Sequence, residues 1–169
     1  MKRLSWKYVA GLFDGEGCVV CAIKRKTTFQ GQGKKTGVKT HSYYRQISIE
    51  LTLTESSKHV IDHLQNNYGG NVYRAESRNP NWKPTYTWKL RDNTKARAFC
   101  QNIYKHCMIK NEQLRLAIWA IDMLKGKLAP EVAETLKQEF KLQKSDPHRL
   151  SEKAQENILE LLGCDSRDS

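Results

Sequence analysis

Two carboxylates alternate with glycine in the stretch Phe13-Asp14-Gly15-Glu16-Gly17. They close an apolar run, "LSWKYVAGLF", in which Trp6, Val9, Ala10, Leu12 and Phe13 recur at helical spacing. Ser5 is placed to cap the start of that helix and Gly15 or Gly17 to stop it. Acids at a helix C-terminus sit on its negative pole and call for a compensating positive charge. Glycines beside them allow close approach to the backbone, so the chemistry this pattern suits is the holding of a hard divalent cation. The later ligand positions of an EF-hand loop do not follow. A turn with solvated acids is the other reading these residues allow.

Two further groupings resemble metal sites less well. Cys18 and Cys21 form a CxxC, but three residues apart on a strand they point to opposite faces, and no second pair follows at zinc spacing. His59 and His63 lie one helical turn apart around Asp62. They read as surface histidines, because no general-base glutamate completes a zinc-protease pattern.

The elements that must position these residues follow from periodicity. "CVVCAIKRKT" (18–27) starts as a β-rich segment and turns basic, and 28–41, rich in glycine and lysine, predicts a basic hairpin loop. "YYRQISIELTLT" alternates cleanly, with Ile47, Ile49, Leu51 and Leu53 on one face and Gln46, Ser48, Glu50, Thr52 and Thr54 on the other. Helical spacing resumes over 55–68, closed by Gly69-Gly70. Strands are expected at 71–78 and 85–91, the second with Tyr86, Trp88 and Leu90 inward and Thr85, Thr87, Lys89 and Arg91 outward. Helices are expected at roughly 93–106, 110–125, 130–143 and 151–162. The order is α-β-β-α-β-β-α followed by further helices, an α+β fold. Residues 1–125 read as the core of one domain and 126–169 as its C-terminal helical extension.

Charge points to the partner. The 169 residues carry a formal +11, distributed unevenly: 1–110 hold 20 Lys+Arg against 7 Asp+Glu, and 111–169 hold 9 against 11. No acid falls between Glu16 and Glu50, where Lys24, Arg25, Lys26, Lys34, Lys35, Lys39 and Arg45 lie. Such one-sidedness is the footprint of a polyanion partner, nucleic acid first. The outward groups of the strands suit it, because hydroxyls, amides, Arg, Lys and Glu read base edges and grip phosphates. Tyr44, Gln46, Ser48, Glu50, Thr52, Arg74, Glu76, Arg78, Thr85, Thr87, Lys89 and Arg91 are the candidate contacts, with the lysines and Arg25 of 24–39 beside them. No run of eighteen apolar residues and no signal-like segment occurs, which predicts no membrane span and no secretion. Five cysteines, an odd number, fit a reduced intracellular protein without disulfides. The compartment is not legible.

"YVAGLFDGEG" at 8–17 resembles the signature of the LAGLIDADG homing endonucleases, with Val9 to Gly17 standing for its nine letters. The resemblance runs from about Trp6 to Ile121. It implies a four-stranded antiparallel saddle sheet that lies on DNA, and metal-dependent hydrolysis of phosphodiesters. The product would be a double-strand break in a long pseudo-palindromic site, with short 3′ overhangs. A single motif copy implies a homodimer, with Ala10, Gly11, Leu12, Phe13, Asp14 and Gly15 forming the motif and its interface. Glu16 carries over as the metal ligand, a glutamate in place of the signature aspartate. The metal implied is Mg²⁺, with Mn²⁺ substituting and Ca²⁺ binding without turnover.

Lys110 in "MIKNEQL" matches the segment that presents the family's active-site lysine. Glu55 in "LTLTES" holds the place of a polar residue that positions water; it either reaches the metal through water or caps the following helix. The other readings on the same fold are an intron RNA maturase and a non-catalytic DNA-binding protein.

Overall fold

The computed structural model describes residues 4–30, 38–77, 79 and 81–163. The candidate contacts Lys34, Lys35 and Arg78 lie outside this set. The first helix, α1 (Trp6–Glu16), begins as its sequence dictates, with Ser5 Oγ accepting the Tyr8 N–H at 3.2 Å. It buries Val9, Ala10 and Phe13 and ends at Gly17, whose N–H bonds Phe13 O. A Cβ at Gly17 would stand 2.1 Å from the Phe13 ring, so the stop is steric: only glycine lets the chain turn against that ring into the first strand.

Strands β1 (Gly17–Gln30) and β2 (Val38–Thr54) pair antiparallel from Gly17↔Leu51 out to Gln30↔Val38. Over 28–30 and 38–41 this corrects the loop expected at 28–41; residues 31–37 lie outside the described set. Thr27, Thr28 and Thr40 favour extended chain, and cross-strand bonds hold them: Thr27 Oγ1 to His41 Nδ1 at 3.1 Å, and Thr40 Oγ1 donating to Thr28 O at 3.3 Å.

A 3₁₀ turn (Glu55–Ser57) leads into α2 (Lys58–Tyr68), and β3 (Asn71–Ala75) and β4 (Thr85–Leu90) follow. The sheet order is β1-β2-β4-β3, antiparallel throughout. At the α2–β3 turn Gly69 and Gly70 take φ of 75° and 89°. A Cβ at Gly70 would press on Lys89 O at 2.7 Å, and Gly69 O accepts the Trp88 indole N–H at 2.7 Å. The chain continues through α3 (Asn93–Ile103), α4 (Asn111–Met123), α5 (Pro130–Ser145) and α6 (Ser151–Leu161).

One face of the sheet, through Ile47, Ile49, Leu51, Tyr86, Trp88 and Leu90, packs on the helices. Phe99 of α3 joins four rings at its centre, with centroids 5.2 Å from Trp88, 5.4 Å from Tyr68, 6.0 Å from Trp6 and 6.4 Å from Phe13. His63 corrects the surface reading: it is buried, and its Nε2 accepts the Leu4 N–H at 3.1 Å. It flanks the α2 stripe of Val60, Ile61 and Leu64 and ties down the lead into α1; His59 is exposed.

The last two helices share this core through Val132, Ala133, Leu136, Phe140, Ala154 and Ile158. Buried acids fasten them. Glu139 of α5 accepts two bonds of 3.0 Å from Arg149 and one of 2.7 Å from Asn157 of α6. Glu112 of α4 accepts the Ser151 N–H at 2.8 Å and a bond from Arg115 at 3.2 Å, and Arg115 also reaches Glu152 of α6 at 2.5 Å. No helix among the described residues is long and apolar enough to cross a membrane.

Candidate active site and nucleic-acid interface

The end of α1 meets the turn that opens α4, and the two cap each other. Asp14 accepts the backbone N–H groups of Met108 at 2.6 Å, Lys110 at 3.0 Å and Ile109 at 3.3 Å. In return Lys110 Nζ donates to Phe13 O at 2.9 Å and Gly17 O at 2.6 Å, with its charge 5.7 Å from the centre of the Phe13 ring. The positive charge demanded by the acid-bearing helix end is therefore Lys110. Cys107 adds an Sγ contact of 3.6 Å to Ala10 O. Burial pushes the Lys110 ammonium below the ordinary lysine range, and nearby Asp14, Cys18, Cys107 and Glu16 only partly restore it. Two of its three N–H groups serve the α1 end, and the third has no partner among the described residues.

Glu16 differs from Asp14 in every respect but charge. It is exposed, and among the described residues it has no hydrogen bond or ion pair. An unpaired carboxylate at the edge of a basic surface fits Mg²⁺, which takes one or two protein carboxylates and completes its octahedron with water and substrate phosphate. No group of three metal-binding side chains occurs among the described residues.

Glu55 is not brought to this centre by any contact. It lies four residues past Leu51, the partner of Gly17, hence about 13 Å further along the strand at ~3.3 Å per residue. Nor does it cap through its side chain: its N–H donates to Pro84 O at 3.0 Å and its carbonyl accepts the Lys58 N–H.

The motif residues divide by helical phase. Ala10 and Phe13 are fully buried in the chain's own core and Asp14 is spent on the 108–110 turn, so these three of the expected interface residues are not free to meet a second copy. The outward stripe consists of Tyr8, half exposed, with Gly11, half-buried Leu12 and Gly15, and a Cβ at either glycine would meet nothing within 4 Å.

The polar face of the sheet begins two residues after Glu16. Its rows are set by register: Cys18, Glu50, Lys89 and Asn71 run across all four strands, and Thr52, Thr87 and Tyr73 form the next row. Glu50 is held by Lys89 at 2.8 Å and by Ser48 Oγ at 2.9 Å, and the Thr52 and Thr87 hydroxyls lie 2.9 Å apart. Lys24, Lys26, Tyr44 and Gln46 extend the face along the hairpin, and Arg91 continues the phase of Thr85, Thr87 and Lys89.

Four expected contacts fall elsewhere. Arg25 and Lys39 alternate to the other side of the hairpin with Tyr43 and Arg45. Arg74 and Glu76 fall in phase with Val72, which packs against the core, and pair with each other instead. Ser48 is on the polar face but only 5% exposed, so its hydroxyl serves to aim Glu50. Two residues of the face were missed, Asn71 and Tyr73; the Tyr73 ring lies 5.8 Å from Lys89 Nζ and 5.7 Å from the Arg91 guanidinium carbon. Val72, the sole aliphatic of 71–74, was the signal that fixes the phase of that strand.

Comparison with known proteins agrees with this geometry. The LAGLIDADG endonuclease family profile matches residues 9–121. The chain belongs to that family. A search of the curated proteins finds no match. Among solved structures the fold is similar to that of the homing endonuclease I-TnaI, at 20% identity and a TM-score of 0.55 over 95% of this chain and 99% of that one. It is also similar to I-CvuI in complex with its target in the presence of calcium, at 18% identity and a TM-score of 0.54 over 94% of each chain. I-SmaMI bound to cleaved DNA matches at 15% identity and a TM-score of 0.52, over 94% of this chain but 49% of that one.

Proposed function

We propose that the protein is a site-specific DNA endonuclease that works as a homodimer, each subunit cutting one strand of a long pseudo-palindromic site. The observation that supports this most is the free carboxylate of Glu16 at the head of a strand whose alternate residues pave a polar, basic sheet face. The related I-CvuI was crystallised with DNA targets in the presence of calcium and of magnesium, and I-SmaMI with uncleaved DNA in calcium and with cleaved DNA. This chain corresponds to about half of an I-SmaMI chain, which fits two copies doing the work of one longer chain. The stripe of Tyr8, Gly11, Leu12 and Gly15 offers the close-packing face for that pairing.

Glu16 would hold Mg²⁺, which when bound supplies Lewis-acid stabilisation of charge on the phosphate oxygens. The chain's own residues do the rest. The sheet face fixes the duplex by phosphate and base-edge contacts, placing the bond to be cut over the α1 end. Lys110, anchored by two carbonyls, directs its remaining N–H at the phosphate or its attacking water and stabilises the developing negative charge. Its lowered proton affinity keeps that N–H acidic and the proton easy to give.

The test is a plasmid carrying the sequence that results from joining the DNA on either side of this reading frame. Expected are cuts in both strands with Mg²⁺, binding without cuts in Ca²⁺, and protection of about 20 base pairs, one helical turn of ~10 per subunit. A monomeric complex, or a footprint near ten base pairs, overturns the homodimer.

A further inference from the structure

Among the described strand residues, Glu50 is the only carboxylate on the polar face of the sheet. It is held in place from two sides. Lys89, its partner across β2 and β4, donates from Nζ to Oε2 at 2.8 Å, and Ser48 Oγ donates to Oε1 at 2.9 Å. The Tyr73 ring lies beside Lys89, its centre 5.8 Å from Nζ. Glu50 keeps 15% of its side-chain surface and Lys89 25%, so neither is a loose surface charge. A carboxylate retains acceptor capacity after two such bonds, and an ammonium retains donors after one. The pair therefore presents an acceptor and a donor side by side, 2.8 Å apart.

Phosphates repel a carboxylate, so on a DNA-facing surface an acid is of use only against a donor on a base edge. The major groove offers two amino donors, cytosine N4 and adenine N6. Each lies next to its partner's keto oxygen, about 2.9 Å away along the base pair's own hydrogen bond. Both pairs thus match an acceptor beside a donor, and the flanking groups decide between them. At A·T, adenine N7 sets a second acceptor against the carboxylate, and the thymine methyl crowds the lysine. At C·G the carboxylate meets no further acceptor on cytosine, and the lysine gains guanine N7 beside O6.

We propose that Glu50 and Lys89 act together as the specificity-determining pair for one C·G base pair in each half-site. Glu50 accepts from cytosine N4, and Lys89 donates to guanine O6 and N7. Their row begins one residue after Gly17, which puts this base pair toward the inner end of the half-site. The inference rests on the endonuclease reading given above and adds a stated base to it.

The experiment selects binders in Ca²⁺ from duplexes with a randomised stretch of about two helical turns. Wild type is compared with Glu50→Gln, Lys89→Met and the double variant Glu50→Lys with Lys89→Glu, and thermal stability is followed for each. Wild type should select cytosine at one inner position of each half-site by about tenfold. Glu50→Gln should move that preference to adenine, because an amide pairs with N6 and N7 together. Lys89→Met should weaken it. The double variant keeps an ion pair with donor and acceptor exchanged, so it should select guanine where wild type selects cytosine. The proposal is overturned if Glu50→Gln and the exchange leave every position unchanged, the mark of an ion pair that only braces β2 against β4. It is equally overturned if the position they alter is not cytosine in wild type. Wild type selecting no sequence at all overturns the endonuclease reading as well; a selected site with the wrong base overturns this pair alone.

Discussion

The α1 end and the seams that join α6 to α5 and α4 both hold acids, and they treat them in opposite ways. In the seams Glu139 is 4% exposed and takes three hydrogen bonds from Arg149 and Asn157. Glu112, 7% exposed, is bonded by Ser151 and Arg115. At the α1 end Asp14 is treated like a seam acid, satisfied by three N–H groups, while Glu16, two residues away, is left unpaired. A protein with 29 basic residues does not leave a carboxylate alone for want of cations. Paired acids hold the fold; the unpaired Glu16, at the head of the polar sheet face, is the one proposed above to hold a ligand.

That contrast predicts separable phenotypes. Glu16→Gln should reduce Mg²⁺-dependent cleavage to background while thermal stability and DNA binding in Ca²⁺ stay at wild-type values. Loss of stability in that variant would make Glu16 a seam-type acid after all. Lys110→Met should fall between the classes. Cleavage at saturation should drop by about two orders of magnitude through the lost electrostatic donor, and denaturant titration should show a loss of about 1–2 kcal/mol from two uncapped carbonyls. A pure stability loss with full activity at low temperature would reduce Lys110 to a helix cap.

Arg149→Met should cost about 3 kcal/mol, because it strands Glu139 as a buried charge. Cutting by the fraction that remains folded should be normal, and a change in its rate would blur the comparison. Asp14→Asn tests the boundary: it keeps the shape but weakens three charge-assisted bonds, so stability should fall by about 1–2 kcal/mol.

The smallest effect is in acid. Burial alone would raise the Glu112 carboxyl, but the Ser151 hydrogen bonds and the Arg115 charge outweigh it and hold the group below its usual 4.5. Its contribution is therefore present above that value and is lost as pH falls through the lower folded one. Glu112→Gln should flatten this part of the stability profile and leave the profile above pH 6 unchanged in shape.

Much of this was legible in the sequence where patterns are local. The alternation of Ile47, Ile49 and Leu51 gave β2 its buried face, and the helical spacing of 6–13 with Ser5 ahead of it gave α1. The reach of β1 and β2 to 30 and 38 was not, because pairing between threonine-rich strand ends leaves only a weak mark. The face of β3 was misjudged because Arg74 and Glu76 drew attention by charge, although Val72 alone decides which side packs. His63 was misplaced for a similar reason: its partner is a backbone N–H of Leu4, 59 residues away. The pairing of Lys110 with the α1 carbonyls was posed by the sequence as a missing positive charge, but nothing local could name the residue that answers it.

The clamp between Asp14 and the 108–110 turn has a consequence in time as well as space. Its bonds join residues 93 to 97 positions apart. Closing so long a loop costs chain entropy before any of those bonds forms. During synthesis α1 and Glu16 emerge well before residues 108–110, which carry the groups that cap them. The segment bearing Glu16 thus precedes its own anchor by most of the molecule, and a growing or truncated chain has the acid without the clamp that positions it.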